Sequence, residues 1–197
     1  MGVGRPMQHE PEAALSAAMQ SFWRSGYHHT SLRDLLSAMN ISRSSLYHTY
    51  GSKEALFTEA LTRYRDQLLG ELATLLAQQE SAWHFIDNLL TRTAEQAESE
   101  QAALGCLIFN SATELGNGDS AEAQAAKQSV QAITDFFVTV IEQAQQEGAI
   151  SPGHDAGSLA YFLTLSMSGL RLLLKSGVNQ QQAKAQVEHV LRTLASR

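Results

Sequence analysis

Residues 30–57, TSLRDLLSAMNISRSSLYHTYGSKEALF, constrain the fold of this chain more than any other stretch. Apolar side chains recur every three or four residues from Leu32 to Met39, a spacing that places one stripe of a helix against a core. Asn40 ends this helix, because asparagine tolerates the left-handed backbone found at helix C-termini. Ser42 then caps a second helix through its side-chain oxygen. The stretch therefore predicts two short helices joined by a tight turn.

The rest of the chain favours helix almost throughout. It contains 3 prolines, two of them within the first eleven residues, and few β-branched runs, so we expect no sheet. Glycines that end helices and serines that begin them divide the chain into segments. The predicted fold is all-α with nine helices, which run from Pro11 to before Gly26, from Ser31, from Ser42, from Ser52, and over about 82–99, 103–115, 120–147, 155–175 and 180–195.

The charge of the chain is unevenly distributed. Its net charge of −6 argues against indiscriminate binding of nucleic acid. Residues 1–53, however, hold five Lys or Arg against three acidic residues, a net +2, which leaves −8 for the remainder. This distribution is typical of a protein that contacts phosphates at one end only.

Several other classes of protein are disfavoured. With 197 residues, 44% of them hydrophobic, the chain can bury a sizeable core. Its single cysteine, Cys106, excludes an internal disulfide, and no Cys/His or Asp/Glu spacing indicates a metal site. No apolar run approaches the roughly 18 residues of a membrane span, and no signal peptide is evident. We expect a cytoplasmic protein without metal or cofactor and without a membrane partner.

A longer pattern extends over the first 57 residues. It comprises Ala18, Phe22, Trp23, Gly26, Tyr27, Thr30, Asp34, Ile41, Ser42, Arg43, Leu46, Tyr47, Tyr50, Ser52, Lys53, Glu54 and Leu56. At this spacing the pattern resembles the DNA-binding domain of TetR-type (TetR/AcrR-like) transcriptional regulators. Beyond residue 57 the resemblance is diffuse, with a Gly-Cys-Leu start to the sixth helix at Gly105 and helix order as its main features.

The resemblance implies the organisation of the whole chain. Residues 1–53 are expected to form a three-helix, helix-turn-helix DNA-binding domain with a mobile arm over residues 1–9. Residues 54–197 are expected to form a helical effector-binding and dimerisation domain. The implied function is a ligand-responsive repressor that binds a pseudo-palindromic operator as a homodimer and is released by a small effector. Leu36, Asn40, Ser44 and Thr49 depart from the family pattern, so the operator of a relative does not transfer.

The second short helix carries the candidate DNA contacts. Its first turn offers helix N-terminal N–H groups to phosphate oxygens, and Arg43 suits either a guanine or a phosphate. By resemblance, Tyr47 and Lys53 contact phosphates and Tyr50 belongs to the core. Thr30 is either a phosphate anchor or a simple helix cap. The candidate DNA-binding residues are Thr30, Ser42, Arg43, Ser44, Ser45, Tyr47, His48 and Lys53.

The last two helices carry more apolar surface than a single neighbour needs. We expect them to form a four-helix bundle across a two-fold axis, unless these residues are ordinary core within one chain. The candidate interface residues are Leu159, Phe162, Leu163, Gly169, Leu170, Leu173, Val187, Val190, Leu191 and Leu194.

The middle helices are expected to enclose an effector pocket, as the resemblance implies. Its candidate lining residues are Trp83, Cys106, Phe109, Phe137, Tyr161 and Met167. Aromatic and methionine side chains at helical spacing are also typical of plain core, so that interpretation stays open. The sequence does not identify the effector.

Cys106 allows one further hypothesis. It lies near a predicted helix N-terminus, where a thiolate is favoured, and some relatives sense oxidants or electrophiles through a cysteine in a similar Gly-Cys-Leu setting. A structural role for Cys106 is the alternative. A helical enzyme with His84 or His154 as base and Cys106 as nucleophile lacks any known catalytic spacing. A scaffold that has lost DNA binding is disfavoured by the intact Arg43, Tyr47 and Lys53.

Overall fold

The computed structural model describes residues 11–195 of the chain, so the expected arm over residues 1–9 lies outside the described residues. All regular elements within the described range are helices, which confirms the all-α prediction. They are α1 (Pro11–Ser25), α2 (Leu32–Met39), α3 (Arg43–Tyr50), α4 (Lys53–Ala77), α5 (Ala82–Glu95), α6 (Glu100–Leu104), α7 (Leu107–Leu115), α8 (Ala121–Gln146), α9 (Ala156–Lys175) and α10 (Gln180–Leu194).

Nine of these helices correspond to the nine predicted ones, and the five-residue α6 is an addition. The sequence pattern predicts one helix over residues 103–115. In the structure Gly105 adopts φ +70° and separates α6 from α7. Cys106 is consequently the N-cap residue of α7 and not part of its helical body.

The N-terminal helices form a small unit with an aromatic centre, which we call the head (α1 to α3 and the first turns of α4). α1 packs against α2 and α4, and α3 packs against α4. The Phe22 and Phe57 rings meet edge to face at 5.0 Å, and the Tyr27 ring lies 4.8 Å from Phe57. Leu46 and Tyr50 bury the inner face of α3, as predicted for Tyr50. The head therefore holds α3 by its inner face and leaves the outer face exposed.

Local capping defines the two short helices. Ser31 and Asp34 form the expected capping box at the start of α2. Asn40 takes the left-handed conformation, with φ 53° and ψ 43°, and its N–H bonds to the Leu36 and Ser37 carbonyl oxygens. Ser42 caps α3 by accepting a hydrogen bond from the Ser45 N–H. The predicted helix, turn and helix are confirmed.

The remaining helices form the body, in which the 26-residue α8 is central. α8 packs against α4, α7 and α9, while α10 packs against α5 and α9. Its core includes Phe85, Ile86, Phe137 and Ile141, each at most 1% exposed. α4 begins in the head at Lys53 and continues through the body, so one unbroken helix joins the two parts.

α9 corrects one expectation from the sequence. Its 20 residues have a mean hydropathy of 1.3 and are long and apolar enough to cross a membrane by length and composition. The core helix of a soluble protein can pass the same test. One third of this stretch is buried within the chain, while Leu165 and Leu172 are 69% and 67% exposed. α9 thus has an apolar face that this chain leaves uncovered.

Substitution of Asn40 tests the turn between α2 and α3. Asn40→Gly should leave the free energy of unfolding nearly unchanged, because glycine adopts positive φ without steric cost. Asn40→Ala should lower it by about 1 kcal/mol, since a Cβ without a helpful polar group disfavours this conformation. Chemical denaturation of both variants measures the difference. Equal stability of the two variants would contradict the role assigned to the backbone.

Candidate DNA-binding surface and effector cavity

The outer face of α3 is an exposed polar surface. Six of its eight residues are exposed, among them Tyr47 at 44%. They are Arg43, Ser44, Ser45, Tyr47, His48 and Thr49. The helix contains no acidic residue, so no carboxylate on α3 itself would repel a phosphate. This face has the polarity and the exposure that a major-groove helix needs.

The start of α3 gathers hydrogen-bonding groups. The Ser42 hydroxyl lies 2.9 Å from that of Ser44 and 2.8 Å from that of Ser45. The Arg43 guanidinium lies 5.7 Å from the centre of the Tyr47 ring, which holds both side chains over the same face. Hydroxyl groups, N-terminal N–H groups and a guanidinium are the donors that meet phosphates and guanine edges.

Two predicted DNA contacts are engaged inside the head. The Lys53 ammonium donates to the Tyr27 carbonyl oxygen at 2.7 Å and lies 4.4 Å from the centre of that ring. Lys53 therefore has to share or leave these contacts to reach a phosphate. Thr30 is 1% exposed and its hydroxyl donates to the Gly26 carbonyl oxygen at 2.5 Å. The Thr30 side chain would have to leave this buried position to serve as the expected phosphate anchor, and Ser31, not Thr30, is the helix cap.

The turn between α1 and α2 attaches the head to the body. Both oxygens of Glu114, near the end of α7, accept backbone N–H groups, from Tyr27 at 2.9 Å and from His28 at 2.7 Å. Gly26 precedes them with φ +78°, and a Cβ there would lie 2.7 Å from a Glu114 oxygen. Only glycine meets both demands, so the turn and the carboxylate fit each other closely.

A second carboxylate supports the same turn. The Tyr27 hydroxyl donates to Glu122, on the first turn of α8, at 2.7 Å and also contacts Glu54 at 3.3 Å. This hydrogen bond is the main cause that lowers the pKa of Glu122, and burial is the main cause that raises the pKa of Tyr27. Glu122 is therefore a charged acceptor inside the joint between head and body.

A cavity of about 370 Å³ lies between the head and the body. Its wall combines residues of α1 with residues of α4 to α9. The lining residues are Met19, Gln20, Trp23, Tyr64, Gln67, Leu68, Glu71, Leu72, Leu89, Gln96, Gln101, Gly105, Cys106, Phe109, Ile133, Phe137, Met167 and Arg171. Its size and its combination of aromatic, apolar and polar side chains suit a site for a small molecule.

The structure brings four of the six predicted pocket residues to this wall: Cys106, Phe109, Phe137 and Met167. The other two predicted residues do not line this cavity. Trp83 packs partly buried against the core outside the cavity wall. Tyr161 points away from the interior, with 59% exposure and its hydroxyl 3.3 Å from Gln131.

Sequence reasoning missed the two aromatic residues at the end of the cavity nearest the head. The Trp23 and Tyr64 rings meet edge to face at 5.1 Å. The Trp23 indole N–H donates to the Gly105 carbonyl oxygen at 3.2 Å, and the Tyr64 hydroxyl lies 3.8 Å from the Cys106 sulfur. A signal was present in Trp23, which follows Phe22 on α1 and so points about 100° away from the core that Phe22 enters.

The uncovered face of α9 differs in part from the predicted dimer surface. Four predicted residues are at most 5% exposed within this chain, so they belong to its own core and offer little surface to a partner: Leu163, Leu170, Val187 and Leu194. The other predicted residues are partly or largely exposed: Leu159, Phe162, Gly169, Leu173, Val190 and Leu191. Leu165 and Leu172, the most exposed of the large apolar side chains that the structure describes, were missed.

Both halves of the chain match families of regulators. The family described as bacterial regulatory proteins of the tetR family matches residues 14–60. The family described as tetracyclin repressor-like, C-terminal domain, matches residues 82–190. The HTH-type transcriptional repressor ComR of Escherichia coli is 30% identical over 182 residues, which cover 91% of this chain and 86% of ComR.

Solved structures share the fold. A cysteine mutant of the TetR family transcriptional regulator CifR, complexed with 26-bp double-stranded operator DNA, has a TM-score of 0.83 and 32% identity. The match covers 95% of this chain and 98% of that one. The reduced form of E. coli NemR has a TM-score of 0.83 at 18% identity, covering 94% and 96% of the two chains, which shows likeness of fold.

The joint between head and body should weaken at low pH through Glu122. Because its pKa in the folded chain is below the ordinary value of about 4.5, its ionised form adds stability above that value, and the contribution is lost as the pH falls through the folded-state pKa. Glu122→Gln should therefore lower the free energy of unfolding by about 1 kcal/mol near neutral pH, and by less in acid. Denaturation at several pH values measures this. Glu98→Gln, an exposed carboxyl between α5 and α6, is the control, and a pH-independent difference for Glu122 would contradict the assignment.

Proposed function

Because this chain belongs to the TetR family of bacterial transcriptional regulators, we propose that it represses transcription by binding operator DNA through α3. The observation that carries the proposal is the exposed outer face of α3, which contains no carboxylate. The inner face of the same helix packs into the head through Leu46 and Tyr50. Repression is supported by ComR, described as a repressor, and operator binding by the CifR complex. The chain is a regulator, so the enzyme hypothesis based on His84, His154 and Cys106 is abandoned.

α3 is proposed to lie in the major groove. Its first turn carries Arg43 and the hydroxyls of Ser42, Ser44 and Ser45. The N-terminus of the helix also favours a phosphate there. Tyr47 and His48 follow on the exposed side. Lys53 would reach a phosphate by leaving the Tyr27 carbonyl oxygen. The arrangement separates groups that read bases from groups that hold the backbone.

Two copies of the chain are proposed to pair through α9 and α10. Leu165 and Leu172 lie on one uncovered face with the partly exposed Phe162 and Leu173. A groove of about 260 Å³ between α9 and α10 continues this apolar surface. Two-fold pairing would bury both faces in a four-helix bundle and present two heads to a pseudo-palindromic site.

A small effector in the cavity is proposed to release the DNA. The wall includes Trp23 of the head. Its indole N–H donates to the carbonyl oxygen of Gly105, the residue before the α7 N-cap. The other end of α7 carries Glu114, which holds the turn between α1 and α2. An effector that favours a different position of α7 would thus change how the head is held, and this differential binding constitutes allosteric coupling.

Three predictions from the sequence stay proposals. The division into a DNA-binding domain (1–53) and an effector-binding and dimerisation domain (54–197) corresponds to the head and the body. A cytoplasmic location follows from the need to reach chromosomal DNA. Oxidant sensing through Cys106 stays a prediction of the resemblance. That thiol is 5% exposed, at the cavity wall, so an oxidant would have to enter the cavity to reach it.

Substitution of Arg43 tests the DNA-binding surface. The operator is first obtained by selecting bound sequences from random DNA. Arg43→Ala should then weaken operator binding about tenfold or more, since an arginine contact to a guanine contributes about 1–3 kcal/mol. A loss confined to the selected sequence indicates a base contact, whereas an equal loss on all DNA with a smaller salt dependence indicates a phosphate contact. Arg92→Ala, at an exposed site on α5, is the control. Unchanged operator affinity for Arg43→Ala would contradict the proposal.

Substitution of Leu165 tests the dimer surface. Leu165→Glu should raise the dimer dissociation constant about a hundredfold or more, because each of two copies would lose a buried leucine and gain a charge. The folded monomer should persist, since this side chain is 69% exposed within the chain. Sedimentation measures assembly and circular dichroism measures fold. Gln124→Glu, which adds the same charge at an exposed site on α8, should not change assembly. A Leu165→Glu protein that stays dimeric would place the interface elsewhere.

A further inference from the structure

The cavity contains a positive charge that the rest of the described chain does not neutralise. Arg171 lines the wall from α9 and is partly buried. It makes no hydrogen bond and no ion pair with any residue that the structure describes. On its face of α9 the neighbours of Arg171 are Met167, four residues before it, and Lys175, four residues after it, so no carboxylate of α9 lies beside the guanidinium. A partly buried guanidinium carries a desolvation cost that an anionic partner would offset.

The other charged residue of the wall lies at a different depth. Glu71 is exposed on α4, so it belongs to the mouth of the cavity, where water screens its charge. The two side chains do not form an ion pair. Arg171 is therefore a positive charge in the wall without a carboxylate partner, and it disfavours a cationic ligand beside it.

A second donor stands near Arg171. The Tyr64 hydroxyl is directed at the Cys106 sulfur at 3.8 Å, and a thiol is a weak acceptor. Tyr64 and Arg171 line the same cavity. Burial is the main cause that raises the pKa of Tyr64, while the positive charge of Arg171 acts in the opposite direction. Tyr64 thus stays a neutral O–H donor, available to a stronger acceptor such as a carboxylate oxygen.

The remaining wall combines aromatic and apolar side chains with four glutamines. Trp23, Phe109 and Phe137 contribute rings, and the volume of about 370 Å³ corresponds to about a dozen water-sized groups at roughly 30 Å³ each. A flat apolar body of that size fits between such walls. A single guanidinium with one hydroxyl matches the two oxygens of one carboxylate, and the neighbouring rings favour an aromatic body over a bare inorganic anion.

We propose that the effector is a small aromatic carboxylate, with its carboxylate on Arg171 and Tyr64 and its ring system against Trp23 and the phenylalanine wall. The inference rests on the proposed function for the role of the cavity and adds the chemical class of its ligand. Such a ligand would lie against Trp23 and Cys106, at the N-terminal end of α7.

Calorimetry with three probes of matched shape tests the ligand class on the purified full chain without DNA. The probes are 2-naphthoate, its neutral isostere 2-naphthamide, and 2-naphthylmethylamine as the cation. The carboxylate should bind about tenfold or more tightly than the amide, and the amine should bind least, because charge-assisted hydrogen bonds to Arg171 are available only to the anion. A carboxylate that fails to bind at millimolar concentration, or binds no better than the amide, overturns the proposal.

Variants locate the contact. Arg171→Gln should abolish the preference for the carboxylate over the amide and leave amide binding unchanged. Arg192→Gln, the same change at an exposed site of α10, should keep the preference. Tyr64→Phe should lower the preference less than Arg171→Gln. A preference retained by Arg171→Gln overturns the assignment. Operator binding by the ligand-free protein is measured separately, so a failure of DNA binding bears on the proposed function and a failure of calorimetric selectivity bears on the ligand.

Discussion

The Glu114 carboxylate connects the body directly to the main chain of the head. It accepts hydrogen bonds from two successive backbone N–H groups of the turn between α1 and α2, at 2.9 and 2.7 Å. The contact therefore positions the backbone of the turn. A main-chain contact of this kind fixes the direction of α2 and therefore of α3, which follows after a tight turn. Charge-assisted hydrogen bonds contribute about 1.5–3 kcal/mol each. Loss of one of the two bonds is thus comparable with the coupling energies of about 1–3 kcal/mol that connect distant sites in allosteric proteins.

The helix that carries Glu114 also reaches the cavity. α7 has nine residues, about 13 Å at 1.5 Å per residue, with Cys106 at its N-cap and Glu114 one residue before its end. A helix this short moves as a rigid body, because bending it would break its own hydrogen bonds. Gly105 precedes Cys106, the N-cap residue, so a ligand that displaces the Gly105 carbonyl oxygen from the Trp23 indole N–H and moves α7 with it would shift the Glu114 carboxylate as well. A single helix, α7, is therefore sufficient to couple the cavity to the head.

Local signals explain which parts of the structure could be predicted from sequence. The capping box at Ser31, the left-handed turn at Asn40 and the buried side of α3 depend on neighbours within a few residues, so periodicity and capping rules were sufficient. The interface was harder because α9 is apolar on nearly all sides. Periodicity shows that α9 has apolar stripes but not which stripe α8 and α10 cover. The sequence therefore pointed to Leu163, which is buried within the chain, and not to Leu165, which is 69% exposed. The cavity wall joins residues such as Trp23 and Gly105, 82 positions apart, which no local pattern relates.

α9 connects the cavity with the proposed dimer surface. Met167 and Arg171, four residues apart, face the cavity, and Leu165 and Leu172 lie on the opposite side of the same helix. An anion bound to Arg171 would therefore act on the element that sets the separation of the two heads, while its ring acts on Trp23 and α7. Both routes begin at the same end of the cavity. Two heads must match adjacent major grooves within a fraction of a helical turn, about 34 Å apart, so small shifts along either route are sufficient to lose one of the two contacts.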